Sequence, residues 1–220
     1  MIKAIIFDYD GVIVDSFQSL HEVYKIICKE LGKKCHEDIK EFQKLYGYTS
    51  KELKKNLGIS EDEDKKANII YNREIIKKDH TTFDGIKEVI NELKKDYNLI
   101  LISASPRKEV MHKLEKYNLS DKFDLVFASD NLGPMRKVKA IAEAFKKMNL
   151  KSDEVIMIGD RTVDYNEGIK AGLKSNHIIL VEYGWGYDKD KIKQKFLVKK
   201  PSDLIEAVKI IDKNARTNPN

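Results

Sequence analysis

Cysteine is nearly absent. Cys28 and Cys35 are the only two in 220 residues, and no C-x-x-C pair or zinc-finger histidine accompanies them, so neither a disulfide framework nor a structural zinc site fits. Two such thiols are expected to sit reduced, buried or half-buried, in a cytosolic protein. No apolar run reaches the ~20 residues of a membrane span. The first apolar run begins at Lys3, which leaves no room for a secretory leader, so a cytoplasmic location without a membrane partner is expected. An aromatic-interleaved basic stripe is missing too. The 41 Lys and Arg residues face 36 Asp and Glu, and Lys-rich segments such as Glu92–Tyr97 alternate in sign as solvated helix faces do. Nucleic acid is therefore not expected as a specific partner, and the absence of internal repeats excludes a solenoid.

What the chain does have is a rhythm. Five short runs rich in β-branched residues, at 3–7, 99–103, 125–129, 155–159 and 177–181, are continuously apolar. Such runs suit strands of a parallel sheet covered on both faces. After the first, amphipathic segments at 84–96, 106–117, 137–148 and 163–171 separate them. That βαβα order predicts an α/β fold, a Rossmann-like doubly wound parallel sheet. Ser105-Pro106 reads as an N-cap followed by proline at the first helical position, and Gly172 as the left-handed residue ending the 163–171 helix. Residues 16–80 carry no strand pattern, only helices near 16–31, 37–46, 50–57 and 61–78, two of them opening with the capping boxes Thr49-x-x-Glu52 and Ser60-x-x-Glu63. About 65 residues is too long for a βα crossover. A small all-α cap, inserted after the first strand between hinges near 15–18 and 79–84, is expected instead. The core is then 1–15 and 81–213, the cap 16–80, and 214–220 a frayed polar tail.

Ligands of an open parallel sheet bind beyond the carboxyl ends of its strands, so the polar residues following each run are the candidates. They are Asp8 and Asp10 after the first and Ser103 and Ser105 after the second. Ser129 and Asp130 follow the third, with Arg136, Lys137 and Lys139 behind them, and Asp160 and Asp164 follow the fourth. Each has an ordinary reading alone: Asp10-Gly11 as a turn, Ser103 as a strand end, Lys137 as a surface lysine, Asp160 and Asp164 as helix N-terminal acids. Together they would gather four carboxylates at one sheet edge, where two carboxylates ~4 Å apart repel by about 4 kcal/mol at an effective dielectric near ~20. Such a cluster requires cations. Lys137 supplies one charge, and a hard divalent ion with oxygen ligands, Mg²⁺, would supply the rest. Metal, lysine and hydroxyl are also what phosphoryl transfer requires. Asp8, rigidly aimed at the strand end, is the better nucleophile candidate. Asp10, two residues on, is placed to protonate a leaving oxygen and then activate water.

The stretches DYDGVIVDS (8–16) and LISAS (101–105), Lys137, and IGDRTVDYNEGIKAG (158–172) resemble, in order, the four motifs of the haloacid dehalogenase superfamily of phosphohydrolases. The helical insertion resembles that of its phosphoglycolate phosphatase and β-phosphoglucomutase group, and the resemblance spans essentially the whole chain. It implies that Asp8 is a nucleophile forming an aspartyl-phosphate and Asp10 the acid and base. Ser103 would hydrogen-bond the phosphoryl oxygens, and Lys137 would neutralise nucleophile and phosphate. Mg²⁺ would be held by Asp160, the Asp8 carboxylate and the Asp10 backbone carbonyl, with Asp164 orienting the metal or its water. Gly11, Ser103, Ala104, Arg107 and Lys137 form the implied substrate-binding set, although Arg107 reads more readily as a solvated first-turn arginine. Many members carry the lysine in Lys-Pro-x-Pro, whereas residues 133–145 here read GPMRKVKAIAEAF, so Arg136 and Lys139 stand as alternatives to Lys137.

The expected activity is Mg²⁺-dependent hydrolysis of a small phosphorylated metabolite, phosphoglycolate-like or a sugar phosphate, by a monomer or homodimer whose cap excludes bulk water and selects substrate. A phosphomutase would use the same aspartyl-phosphate and return the phosphoryl group to sugar. A non-catalytic phospho-ligand-binding module would have little use for Asp10, and a phospho-receiver domain has neither the insertion nor the late GDxxxD. The loop YGWGY (183–187), with the only tryptophan, reads either as an entrance lining or as core packing.

Overall fold

A computed structural model describes residues 1–46, 49–129, 137–186 and 194–217; Asp130, Arg136 and Tyr187 lie outside the described residues. The strands β1 (Ala4–Asp8), β4 (Asn98–Ile102), β5 (Leu125–Phe127), β6 (Val155–Gly159), β7 (Ile178–Val181) and β8 (Phe196–Val198) form one sheet in the order β5-β4-β1-β6-β7-β8. All its pairings are parallel. The chain extends the sheet first to one side of β1 and then to the other, so β1 lies at the topological switch point. A second, two-stranded pairing joins β2 (Val14–Asp15) to β3 (Thr81–Thr82). It brings together the two ends of the segment that leaves and rejoins the core.

The period of two along each strand divides the core into two layers. Ile5 and Phe7 of β1 pack with Ile86, Val89 and Ile90 of α5 (Ile86–Leu93), Val110 and Leu114 of α6 (Arg107–Lys116), and Leu204, Val208 and Ile211 of α9 (Asp203–Thr217). Ala4 and Ile6 face the other way, onto Ala140, Ile141 and Ala144 of α7 (Lys137–Met148). Asp8 continues the Ala4–Ile6 parity and therefore emerges on the α7 side. The remaining core helix, α8 (Thr162–Lys170), follows β6. It ends as its sequence predicts, with Gly172 at φ +94° and the Leu173 N–H donating to the Gly168 carbonyl.

The chain divides into two compact units, one of 1–15 and 81–220, the other of 16–80. The second is helical: α1 (Phe17–Glu30), α2 (Ile39–Leu45), α3 (Ser50–Asn56) and α4 (Glu61–Ile75). Phe42 is fully buried among the rings of Phe17, His21 and Tyr24. Glu52 accepts from the Thr49 N–H and Glu63 from the Ser60 N–H, so both capping boxes hold. Cys28 is buried and Cys35 half-buried, both as free thiols. Among the described residues no helix is long and apolar enough to cross a membrane.

The expected frayed tail is corrected over 214–217, which continue α9. Its apolar face is covered, and its last turn carries a bond that local sequence does not reveal. Asp212 is buried; it accepts the Ile2 N–H at 2.7 Å and pairs with Arg216 at 2.6 Å, tying the last helix to the start of the chain. Asp212→Ala is expected to destabilise the protein by about 1–3 kcal/mol, because the buried Ile2 N–H loses its partner, a loss read as a lower denaturation midpoint. Burial works to raise the Asp212 carboxyl, but Arg216 and the Ile2 N–H outweigh it and hold the group below its ordinary value. A carboxyl depressed in the fold stabilises above its unfolded pKa, and that contribution is lost as pH falls through the folded value. The electrostatic share of the deficit in Asp212→Ala should therefore shrink only in strong acid.

Candidate active site

Strand register assembles the site. Asp8 pairs with Ile102 on one side, which puts Ser103 one residue beyond. Phe7 pairs with Ile158 on the other, which brings Gly159 and Asp160 level with Asp8 and the turn after it. Asp8, Ser103, Asp160 and Asp164 are all buried, the last three completely. Carboxylate oxygens of Asp8, Asp160 and Asp164 lie within 4.8 Å of one another.

Lys137 opens α7 on the face to which Asp8 points. Its Nζ lies 2.7 Å from Asp8 Oδ2 and is also paired with Asp164. Lys139 is exposed and takes no part in the cluster. Burial pushes the Asp8 carboxyl up to about 7; Lys137 works against that, while the charges of Asp164 and Asp10 add to it. Asp160 is raised well above the carboxylate range, chiefly by burial and then by Asp164 and Asp8. Burial disfavours the Lys137 charge, but Asp164 and Asp8 more than restore it and its pKa is raised. Three buried acids with one bridging lysine remain short of positive charge.

The other members take distinct places. Asp164 Oδ2 accepts the N–H groups of Asp160 and Arg161, at 3.1 and 2.9 Å. It therefore acts as a helix N-terminal acid for α8 and a member of the cluster at once. Ser105 donates its hydroxyl to Asp10 Oδ2 at 2.8 Å and its N–H to Ser103 Oγ at 2.9 Å. The expectation that Ser105 caps α6 is thereby corrected: Pro106 holds the N-cap position and the helix begins at Arg107. Ala104 is exposed between the two serines. Arg107 donates to the Val126 carbonyl at 3.0 Å, which anchors the start of α6 to β5. Gly11 has φ +80°, and a Cβ there would lie 2.1 Å from Asp160 Oδ2, so glycine is required by backbone and by space.

Sequence reasoning named Ser105 as a candidate by position but gave it no role beyond capping α6, and it left the loop after β7 between entrance lining and core packing. Gly186 donates its N–H to Asp160 Oδ2 at 2.9 Å, and Tyr183 donates its hydroxyl to the Val12 carbonyl at 3.1 Å. A glycine–x–glycine spacing directly after a strand was the available signal. Asp160 Oδ1 is buried without a hydrogen-bond partner. An orphaned buried carboxylate oxygen beside two further carboxylates matches the all-oxygen donor set of a hard divalent cation.

Comparison with known proteins gives the family and the fold. The family described as haloacid dehalogenase-like hydrolase matches residues 5–178. A phosphoglycolate phosphatase of Nitrosospira multiformis is 26% identical, with 97% of each chain covered. The pyrophosphatase PpaX of Bacillus cereus is 26% identical over 56% of this chain and 57% of its own. Among solved structures, a haloacid dehalogenase-like family hydrolase of Streptococcus pneumoniae superposes with a TM-score of 0.82 at 23% identity, covering 94% of this chain and 98% of that one, a likeness of fold.

Proposed function

The chain belongs to the haloacid dehalogenase-like hydrolase family, and from that premise we propose that it is a Mg²⁺-dependent phosphatase acting on a small phosphorylated metabolite, phosphoglycolate-like or a sugar phosphate. The observation that carries this reading is the pairing of two aspartates in different environments. Asp8 is buried against Lys137, and Asp10 is held by the Ser105 hydroxyl at the sheet edge. One is suited to attack and the other to proton traffic. Similarity to a phosphoglycolate phosphatase along nearly the whole chain supports the substrate class.

In the proposed reaction an Asp8 oxygen bonds to phosphorus while the bond from phosphorus to the leaving oxygen breaks, and Asp10 gives that oxygen its proton. Water then attacks the phosphorus of the aspartyl-phosphate and returns a proton to Asp10; the bond to Asp8 breaks and inorganic phosphate leaves. Ser103 Oγ and Lys137 Nζ are the donors for the phosphoryl oxygens. The metal would be held by Asp160 and Asp8, with the Asp10 carbonyl contributing and Asp164 orienting. When bound, it supplies neutralisation of negative charge on the phosphoryl group. The helical unit of 16–80 would select among substrates.

The test is hydrolysis of an aryl phosphate with and without Mg²⁺, followed by a panel of phosphoglycolate, sugar phosphates, nucleotides and pyrophosphate. Phosphate release that requires Mg²⁺ and is fastest with a small monoester is expected. Isomerised sugar phosphate with little phosphate release would replace hydrolysis by the mutase reaction.

A further inference from the structure

The loop Tyr183–Gly186 contributes no side chain to the proposed hydrolysis, yet it closes around Asp160. The Gly186 N–H occupies Asp160 Oδ2 at 2.9 Å, while Oδ1 is buried without a hydrogen-bond partner. The two oxygens of one carboxylate are thus made different.

Space tells the same story. A Cβ on Gly184 would lie 2.4 Å from the Gly11 carbonyl oxygen and 2.5 Å from Asp160 Cβ. One on Gly186 would lie 2.1 Å from Arg161 Cγ and 2.8 Å from Asp160 Oδ2. Neither glycine has a positive φ, so closeness rather than backbone freedom calls for glycine at both positions. The loop is anchored on either side: the Tyr183 ring packs on Phe83 at 4.9 Å, its hydroxyl reaches the Val12 carbonyl, and the Trp185 ring faces the Arg161 guanidinium at 5.8 Å.

We propose that this loop makes Asp160 a one-oxygen ligand and thereby selects Mg²⁺ over Ca²⁺. The inference rests on the metal-dependent reading of the site. Ca²⁺ takes six to eight oxygens, often with both oxygens of a carboxylate, whereas Mg²⁺ takes six in octahedral array. An N–H fixed on Oδ2 removes the two-oxygen mode and holds Oδ1 in one direction. Gly186 and Tyr183 are positioning residues, acting through Asp160.

The experiment is thermal denaturation of the full chain at increasing Mg²⁺ or Ca²⁺, for the parent, Tyr183→Phe and Gly186→Ala. The parent should be stabilised by Mg²⁺ at lower concentration than by Ca²⁺. Both variants should require about tenfold more Mg²⁺ and lose part of the preference over Ca²⁺. Should Gly186→Ala not fold, Tyr183→Phe decides, since it keeps the ring against Phe83 and removes only the anchoring hydroxyl. An unchanged Mg²⁺ midpoint and preference in Tyr183→Phe would overturn the role of the loop and leave the metal site standing. A parent that responds to neither cation would overturn the metal site and the loop's role together.

Discussion

Asp8→Asn is expected to lower aryl phosphate hydrolysis by about four orders of magnitude or more and, without metal, to melt several degrees above the parent at pH 8. Both effects come from one carboxylate. Asn keeps the shape but offers no nucleophilic oxygen anion, so no aspartyl-phosphate can form. The stability gain comes from the environment. Burial lifts the Asp8 pKa from 3.8 to about 7 despite Lys137. A group raised in the fold favours folding below its unfolded pKa and loses that advantage as pH rises through the folded value. Above neutral pH the metal-free parent therefore carries an ionised Asp8 against a penalty on the order of 4 kcal/mol. Asn never ionises, so the gap in melting temperature should open from about pH 4 and be complete just above pH 7. Metal bound to the parent should narrow it, since a cation favours the carboxylate. Hydrolysis retained within tenfold of the parent would remove Asp8 as nucleophile; a variant less stable at pH 8 than at pH 5, relative to the parent, would contradict the burial of its charge.

The sheet was legible because its strands are buried on both faces. Ile5–Phe7, Leu99–Ile102 and Val155–Ile158 are uninterruptedly apolar, and all are buried. The helical segment was legible from the absence of such runs and from capping boxes whose partners lie three residues apart. What escaped was either short or non-local. Val14–Asp15 and Thr81–Thr82 pair over two residues each, too few for a period to show. Phe196–Val198 is a three-residue edge strand with no run beyond it. The role of Asp212 does not show until its partner, 210 residues away, is known. In the site, residues ending strands were foreseeable because a parallel sheet delivers them to one edge. Ser105 was among them by position, but its role was not legible, since a serine before proline has a ready local role as a cap, and only the folded chain shows its hydroxyl turned to Asp10. The same holds for Gly184 and Gly186, whose requirement comes from the Gly11 carbonyl, Arg161 and Asp160 packed against them and not from the turn itself.

Lys137→Met tests the charge balance from the opposite side. Lys137 Nζ touches both Asp8 and Asp164, and the methionine side chain fills a similar volume without charge. Removing one partner of a buried ionic group costs about 3–5 kcal/mol, so the metal-free variant should melt well below the parent at neutral pH. The loss should shrink on acidification, because with the lysine gone Asp8 and its neighbours relieve their repulsion by taking up protons. Added Mg²⁺ should recover much of the stability, since a divalent cation among the three carboxylates supplies the charge the lysine had supplied. Activity should not recover with it. A fixed donor to the transferring phosphoryl group contributes about 10²–10³ in rate, and a cation bound on the Asp160 side does not replace one held at the start of α7. Stability and turnover would then separate: metal restores the first and leaves the second low. Turnover within tenfold of the parent at saturating Mg²⁺ would show that another cation neutralises the phosphoryl group. Arg136, one residue earlier, would become the side chain to substitute next.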